Sequence, residues 1–257
     1  MIKRIVSMLC AVSAAFCLTS CGFTEVLTEK VVHTVEVPPK MVFLGDSIAA
    51  GYGLEGYTDT DNYNCRSYSV ILRDKYESEL ADECGHTMVN EAVSGDESKD
   101  LLALLKEGKL DEALKESDAV VVSIGGNDML HIIFPLLESL GVKGNSEFDL
   151  GSINILSAAA QLLTIQSDID EALVRFEENL KEISFEINAR TEGQLYIQTL
   201  YNPVEYLTEL PMAVEFASDS MQKFNGIIQN NAEGMYDVID IASEFAGKSG
   251  ELTNMPK

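Results

Sequence analysis

Three short polar turns carry the residue types that acyl transfer uses. The first is Gly45-Asp46-Ser47-Ile48-Ala49-Ala50-Gly51-Tyr52-Gly53, the second Glu91-Ala92-Val93-Ser94-Gly95-Asp96, and the third Gly125-Gly126-Asn127-Asp128. A serine hydroxyl on a sharp turn becomes a nucleophile once a base takes its proton. Backbone N–H groups and an asparagine amide are donors that can hold a developing oxyanion. Glycine in each turn lets the chain adopt positive φ or pass close to a ligand. Any one of these turns reads as ordinary punctuation after a strand. The three together point to a site.

The elements that must position them read as alternating strands and helices. Met41 to Leu44, Thr87 to Ala92, Ala119 to Ile124, Gln194 to Leu200 and Tyr236 to Ile241 are apolar runs of strand type. Helical spacing predicts helices from Ser67 to about Leu80, around Leu101–Leu105 and Leu110–Leu114, and from after Asp128 to about Leu140. It is clearest from Ile169 to Ile187 and continues from Pro211 to Asn231, while 141–165 mixes loop signals with an Ala-rich patch. Such alternation implies one α/β domain with a parallel sheet, and right-handed crossovers put the ends of all strands on one edge. Each of the three polar turns follows a strand, on the edge where such sheets bind ligands.

Phe43-Leu44-Gly45-Asp46-Ser47-Ile48-Ala49-Ala50-Gly51-Tyr52-Gly53 resembles the first sequence block of the GDSL esterases and lipases, also called SGNH hydrolases. Ile48 stands in place of the leucine of the family name, Gly95 matches the glycine of the second block, and Gly125-Gly126-Asn127-Asp128 matches the third. The resemblance implies a three-layer α/β/α sandwich around a five-stranded parallel sheet of flavodoxin-like order. It implies Ser47 as nucleophile, with the Ser47 N–H, the Gly95 N–H and the Asn127 amide as oxyanion hole. It implies an ester substrate and no metal or organic cofactor. The chain has no Gly-x-Ser-x-Gly elbow, which sets aside the ordinary α/β-hydrolase pattern.

The same family places its general base in a final Asp-x-x-His block after the last strand, with the aspartate orienting the histidine. This chain has three histidines, His33, His86 and His131, and none follows His131. From Ser243 to Lys257 the sequence looks like the loop that precedes that block. The expectation is therefore a chain lacking both the block and the C-terminal helix that covers one face of the sheet. His33 lies in a tether, and His86 precedes the second strand at the far edge. Only His131, four residues after Asn127, falls near the site rim. Two functions follow: an exported serine ester hydrolase acting through a Ser47 acyl-enzyme, or a catalytically impaired member that binds a ligand at the cell surface.

Composition narrows the partners. Among 257 residues, 42 acidic side chains against 18 basic ones give a formal charge of −24, which excludes nucleic-acid binding as the default. Trp is absent, so a sugar-stacking platform would fall to tyrosines such as Tyr52, Tyr57 and Tyr63. Lys3 and Arg4, the apolar run Ile5 to Leu18 and the small residues before Cys21 read as an export signal over 1–20. Leu18-Thr19-Ser20-Cys21 resembles a bacterial lipobox, which implies a lipid on Cys21, a tether over 21–39 and a domain over 40–257. The expected location is the outer face of the bacterial cytoplasmic membrane, held by that lipid. Export leaves Cys65 and Cys84 either as a disulfide or as two free thiols. No Cys-x-x-Cys or Cys/His cluster suggests a zinc site.

Overall fold

The computed structural model describes residues 7–9, 32–34, 39–79, 88–139, 155–202, 205 and 211–248. Five strands form one parallel sheet: β1 (Met41–Gly45), β2 (Met88–Asn90), β3 (Ala119–Ser123), β4 (Gln194–Gln198) and β5 (Asp237–Ile239). Their order across the sheet is β2-β1-β3-β4-β5, the flavodoxin-like arrangement expected. β3 is central and buried along its whole length, which explains an unbroken apolar run rather than an alternating one. Its register sets Met41 beside Ala119 and Gly45 beside Ser123, so β1 and β3 end level with each other. The order reverses between these two strands. Ser47 and Asn127 both follow that switch point.

Helices cover both faces. On one side α3 (Ser98–Lys106), α5 (Gly126–Ser139), α6 (Ile155–Asn188) and α7 (Pro211–Asn230) pack into the larger core. The long α6 supplies Ile169, Ala172, Phe176, Leu180, Ile183 and Ile187, all buried at helical spacing. On the other side α2 (Tyr68–Glu79) lays Tyr68, Leu72 and Tyr76 over Phe43, Met88 and Val121. Two short helices complete the edges, α1 (Ser47–Ala50) and α4 (Asp111–Leu114).

Several boundaries differ from the sequence expectation: β2 ends at Asn90 and β4 at Gln198, each two residues early. α5 begins at Gly126, so Asn127 sits inside its first turn rather than in the loop before it. The Ala-rich patch, unclassified from sequence, is the first part of α6, which starts at Ile155; Ala and Leu favour a helix there. The last strand ends at Ile239, not Ile241, because Asp240 caps a helix, α8 (Ile241–Phe245). Its carboxylate accepts from the Ser243 N–H at 3.1 Å and from the Ser243 hydroxyl at 2.6 Å. α8 is the last element among the described residues.

Within the segment expected to hold signal and tether, Ser7–Leu9 pairs antiparallel with Val32–Thr34. Cys21, the expected lipid site, and Cys84 lie outside the described residues. Cys65 is a free, buried thiol whose sulfur lies 3.6 Å from the Ala50 carbonyl oxygen.

Candidate active site

The turn that presents Ser47 is fixed by backbone chemistry. Gly45 closes β1 with φ of +123°, and a Cβ there would stand 1.8 Å from the Ser123 carbonyl oxygen. Only glycine fits. The next N–H, of Asp46, donates to that same carbonyl at 2.9 Å, locking the ends of β1 and β3 together. The Asp46 carboxylate then caps α1 by accepting from the Ile48 N–H at 3.0 Å. Ser47 is thereby the first residue of α1, half-buried, with an N–H that has no acceptor inside the helix. Buried Ala49 and Ala50 seat the helix against Ala92, Tyr57 and Tyr68.

Gly95 comes from the loop after β2. The Val93 N–H donates to the Gly45 carbonyl at 2.9 Å, carrying the loop alongside the Ser47 turn. Gly95 has φ of +94°, with open space where a Cβ would be, so backbone conformation alone asks for glycine. Asn127 reaches the loop from the other side: its Nδ2 donates to the Asp96 carbonyl at 2.8 Å. Ser47, Gly95 and Asn127 are thus brought to one edge, each held by bonds to a neighbour's turn.

Sequence reasoning missed the groups that hold these turns. Asn90, the last residue of β2, is buried and donates to the Ala49 carbonyl at 2.8 Å and the Ser69 hydroxyl at 3.0 Å. Its oxygen accepts from the Ala92 N–H at 3.1 Å and from Asn62 at 3.3 Å. Asn62 also donates to the Ala92 carbonyl at 2.8 Å, so the acidic Asp59–Asn64 loop serves as a brace. Asp128 accepts from the Ser98 hydroxyl at 2.5 Å and the Ser98 N–H at 2.8 Å, joining α5 to α3. A polar residue closing an apolar strand was the available signal for Asn90.

Burial dominates the electrostatics. It pushes the Asp46 carboxyl up to about 7, against the Ile48 N–H and Ser123 hydroxyl that favour the charged form, with Asp128 adding repulsion. Asp96, beside Gly95, is raised to about 6 by burial and by Asp100. Asp128 is raised by burial as well.

The histidines do not complete a dyad with Ser47 among the described residues. His33 lies in the Val32–Thr34 strand, and His86 is outside the described residues. His131 is exposed, and its Nδ1 meets Glu97 Oε1 at 2.6 Å. Glu97 also holds Lys99 at 2.6 Å. Grooves of about 630 and 540 Å³ lie at the opposite edge of the sheet, both lined by Gly193 at the start of β4. The chemistry-bearing residues are on the switch-point edge instead, which is the edge that decides. No cluster of His, Cys, Asp and Glu suited to a metal ion occurs among the described residues.

Over residues 41–251 the chain matches the family described as GDSL-like Lipase/Acylhydrolase. It is 33% identical over 90 residues to the uncharacterized protein YpmR of Bacillus subtilis (strain 168), a match that covers 35% of this chain and 32% of that protein. The match thus spans about a third of that relative's length. In fold it is similar to an extracellular lipase from Streptomyces rimosus, with a TM-score of 0.58, 18% identity, and coverage of 82% of this chain and 83% of that one. It is also similar to the lipase Lip_vut3 from a goat rumen metagenome, with a TM-score of 0.56, 22% identity, and coverage of 82% and 84%.

Proposed function

The chain belongs to the GDSL-like lipase/acylhydrolase family, and we propose that it is a serine ester hydrolase that forms an acyl-enzyme on Ser47. The observation that carries this is the meeting of Ser47, Gly95 and Asn127 at the switch point, each on a turn bonded to another. Ser47 Oγ attacks the ester carbonyl, and the Ser47 proton passes to a general base. The carbonyl oxygen becomes an oxyanion among the N–H groups of Ser47 and Gly95 and the Asn127 amide. Collapse expels the alcohol, and water then releases the acid. Among the described residues no histidine is bonded to Ser47, and His131 is held by Glu97 instead.

The pairing of His131 with Glu97 rather than Ser47 favours a second reading, a member that keeps the site and binds its ligand without turnover. Turnover of p-nitrophenyl acetate by the purified protein, compared with Ser47→Ala, separates the two. Turnover that depends on Ser47 supports the hydrolase; equal rates in both proteins remove it.

Export and anchoring belong to the same proposal. Lys3, Arg4, the Ile5–Leu18 run and Cys21 support a lipid-anchored protein at the outer face of the bacterial cytoplasmic membrane. No helix among the described residues is long and apolar enough to cross a membrane. Labelled fatty acid should enter the parent protein in a bacterial host and not Cys21→Ala.

A further inference from the structure

The chain between α1 and α2 leaves the Ser47 helix and returns to it. It departs at Tyr52, whose N–H donates to the Ser47 carbonyl at 2.9 Å, and comes back at Cys65, whose sulfur meets the Ala50 carbonyl. Between these points Tyr57 crosses to the second loop. Its ring packs on Ala49 and Ala50 of α1 and on Ala92, three residues before Gly95. Its backbone N–H donates to the Leu54 carbonyl at 3.1 Å, and the Tyr52 ring meets it edge-on with centroids 5.4 Å apart. The phenol hydrogen goes to Asp59 Oδ1 at 2.8 Å, which leaves lone pairs on the phenol oxygen to accept. Burial raises the Tyr57 phenol, and the Ser94 hydroxyl counters that rise as a donor to the phenol oxygen does.

Ser94 stands inside a tight turn. The Asp96 N–H donates to the Val93 carbonyl at 3.2 Å, closing Val93-Ser94-Gly95-Asp96. Gly95 has φ of +94° and Ser94 stays out of the positive region, which is the pattern of a type II turn. Types I and II differ by turning over the peptide between the two central residues, through rotations of roughly 150–170° on either side of it. That peptide carries the Gly95 N–H. The direction of this donor is therefore a property of the turn type. Glycine takes either sign of φ, and Gly95 has open space around it, so Gly95 does not enforce the choice itself. Bonds to Gly45 and Asn127 hold the two ends of the turn. Its middle is held from Tyr57, through Ser94, whose carbonyl belongs to the peptide that turns over. We propose that Tyr57 is a positioning residue: by holding Ser94 beside α1 it keeps the 93–96 turn in its type II form and fixes the direction of the Gly95 N–H. The proposal rests on the reading of that N–H as an oxyanion donor.

The Gly95 amide reports the turn directly, by NMR of the purified protein. Tyr57→Phe and Ser94→Ala each remove the same bond while keeping the ring on α1 and the backbone intact. One such bond biases two turn forms by up to about tenfold. Each variant therefore moves the Gly95 amide signal or broadens it on the μs–ms timescale, with the amides of β3 unchanged. The double variant behaves like either single one, because one bond is lost in all three. A Gly95 signal of parental position and width in both variants overturns the proposal, as does a double variant whose effect is the sum of the singles. Turnover of p-nitrophenyl acetate is measured on the same samples. Where the parent turns over through Ser47, both variants lose up to about tenfold in kcat with KM little changed, and parental kcat in both overturns the proposal. An altered Gly95 signal in variants of a parent without turnover keeps the clamp and removes the hydrolase. An unmoved Gly95 signal in a protein that turns over through Ser47 does the reverse.

Discussion

The side-chain amide of Asn90 donates to the Ala49 carbonyl at 2.8 Å, so the end of β2 directly holds the helix that begins with Ser47. The same side chain accepts from the Ala92 N–H, at the start of the loop that carries Gly95. One buried amide therefore sets the distance between the Ser47 turn and the loop that carries Gly95. Asn90→Ala leaves a buried carbonyl and a buried N–H without partners, which costs about 2–4 kcal/mol. Urea unfolding should show that loss. A variant as stable as the parent would mean that water or a rearranged Asn62 takes over the bonds.

Asp46 predicts a pH dependence of stability. Its carboxyl titrates near 7 when folded and near 3.8 when exposed, because burial disfavours the charged form. Between these values the folded protein binds more protons than the unfolded chain. Asp46's contribution is full below about pH 4 and is lost as pH rises through about 7. Each unit of difference is worth about 1.4 kcal/mol. Asp46→Asn stays neutral and can still accept from the Ile48 N–H, so it should gain on the parent steadily from acid to neutral pH. Ser123, Asp128, Tyr68 and Tyr201 surround the group in both proteins. A stability difference that does not change with pH would show that Asp46 titrates alike in the folded and unfolded chain.

How much of this was legible in the sequence depends on distance along the chain. The Gly45-Asp46-Ser47 turn is local: the apolar run Met41 to Leu44, then glycine, then small polar residues, and β1 with α1 follow directly. The switch-point edge was legible too, since alternation of strands and helices fixes where strand ends lie. Asn90 was not, because its partners Ala49 and Ser69 lie 41 and 21 residues away. The state of Asp46 was hidden for the same reason, since burial is a property of the packed core and not of the motif. At β5 the apolar run Val238-Ile239-Asp240-Ile241 reads as one strand. A cap by Asp240 ends it early, and a pattern of alternation does not see caps.

Two glycines with positive φ should respond differently to the same change. Gly45→Ala places a methyl group 1.8 Å from a backbone oxygen that β3 cannot withdraw without breaking the Asp46 bond. Such overpacking, added to an unfavourable φ, should cost more than about 3 kcal/mol or abolish soluble protein. Gly95→Ala meets no atom within 4 Å and carries only the conformational term, about 1–2 kcal/mol. Unfolding midpoints of the two variants test this. Equal losses would show that the close approach at Ser123 relaxes.

Asn127 separates structure from catalysis most sharply. Its amide has two hydrogens: one bonds the Asp96 carbonyl, and the proposed mechanism assigns the other to the oxyanion. Asn127→Ala removes both donors, while Asn127→Asp keeps the shape of the side chain, removes the donors and adds a negative charge. If the amide served only to tie α5 to the Gly95 loop, both variants would lose stability and retain kcat in proportion to the folded fraction. If it stabilises the transition state, Asn127→Ala lowers kcat about 10²–10³-fold with KM little changed. Asn127→Asp then lowers it further, since a carboxylate repels the charge that develops. The order of the two variants, read from kcat on p-nitrophenyl acetate at matched folded fraction, is the decisive measurement. Parental kcat in either variant would remove Asn127 from the oxyanion hole.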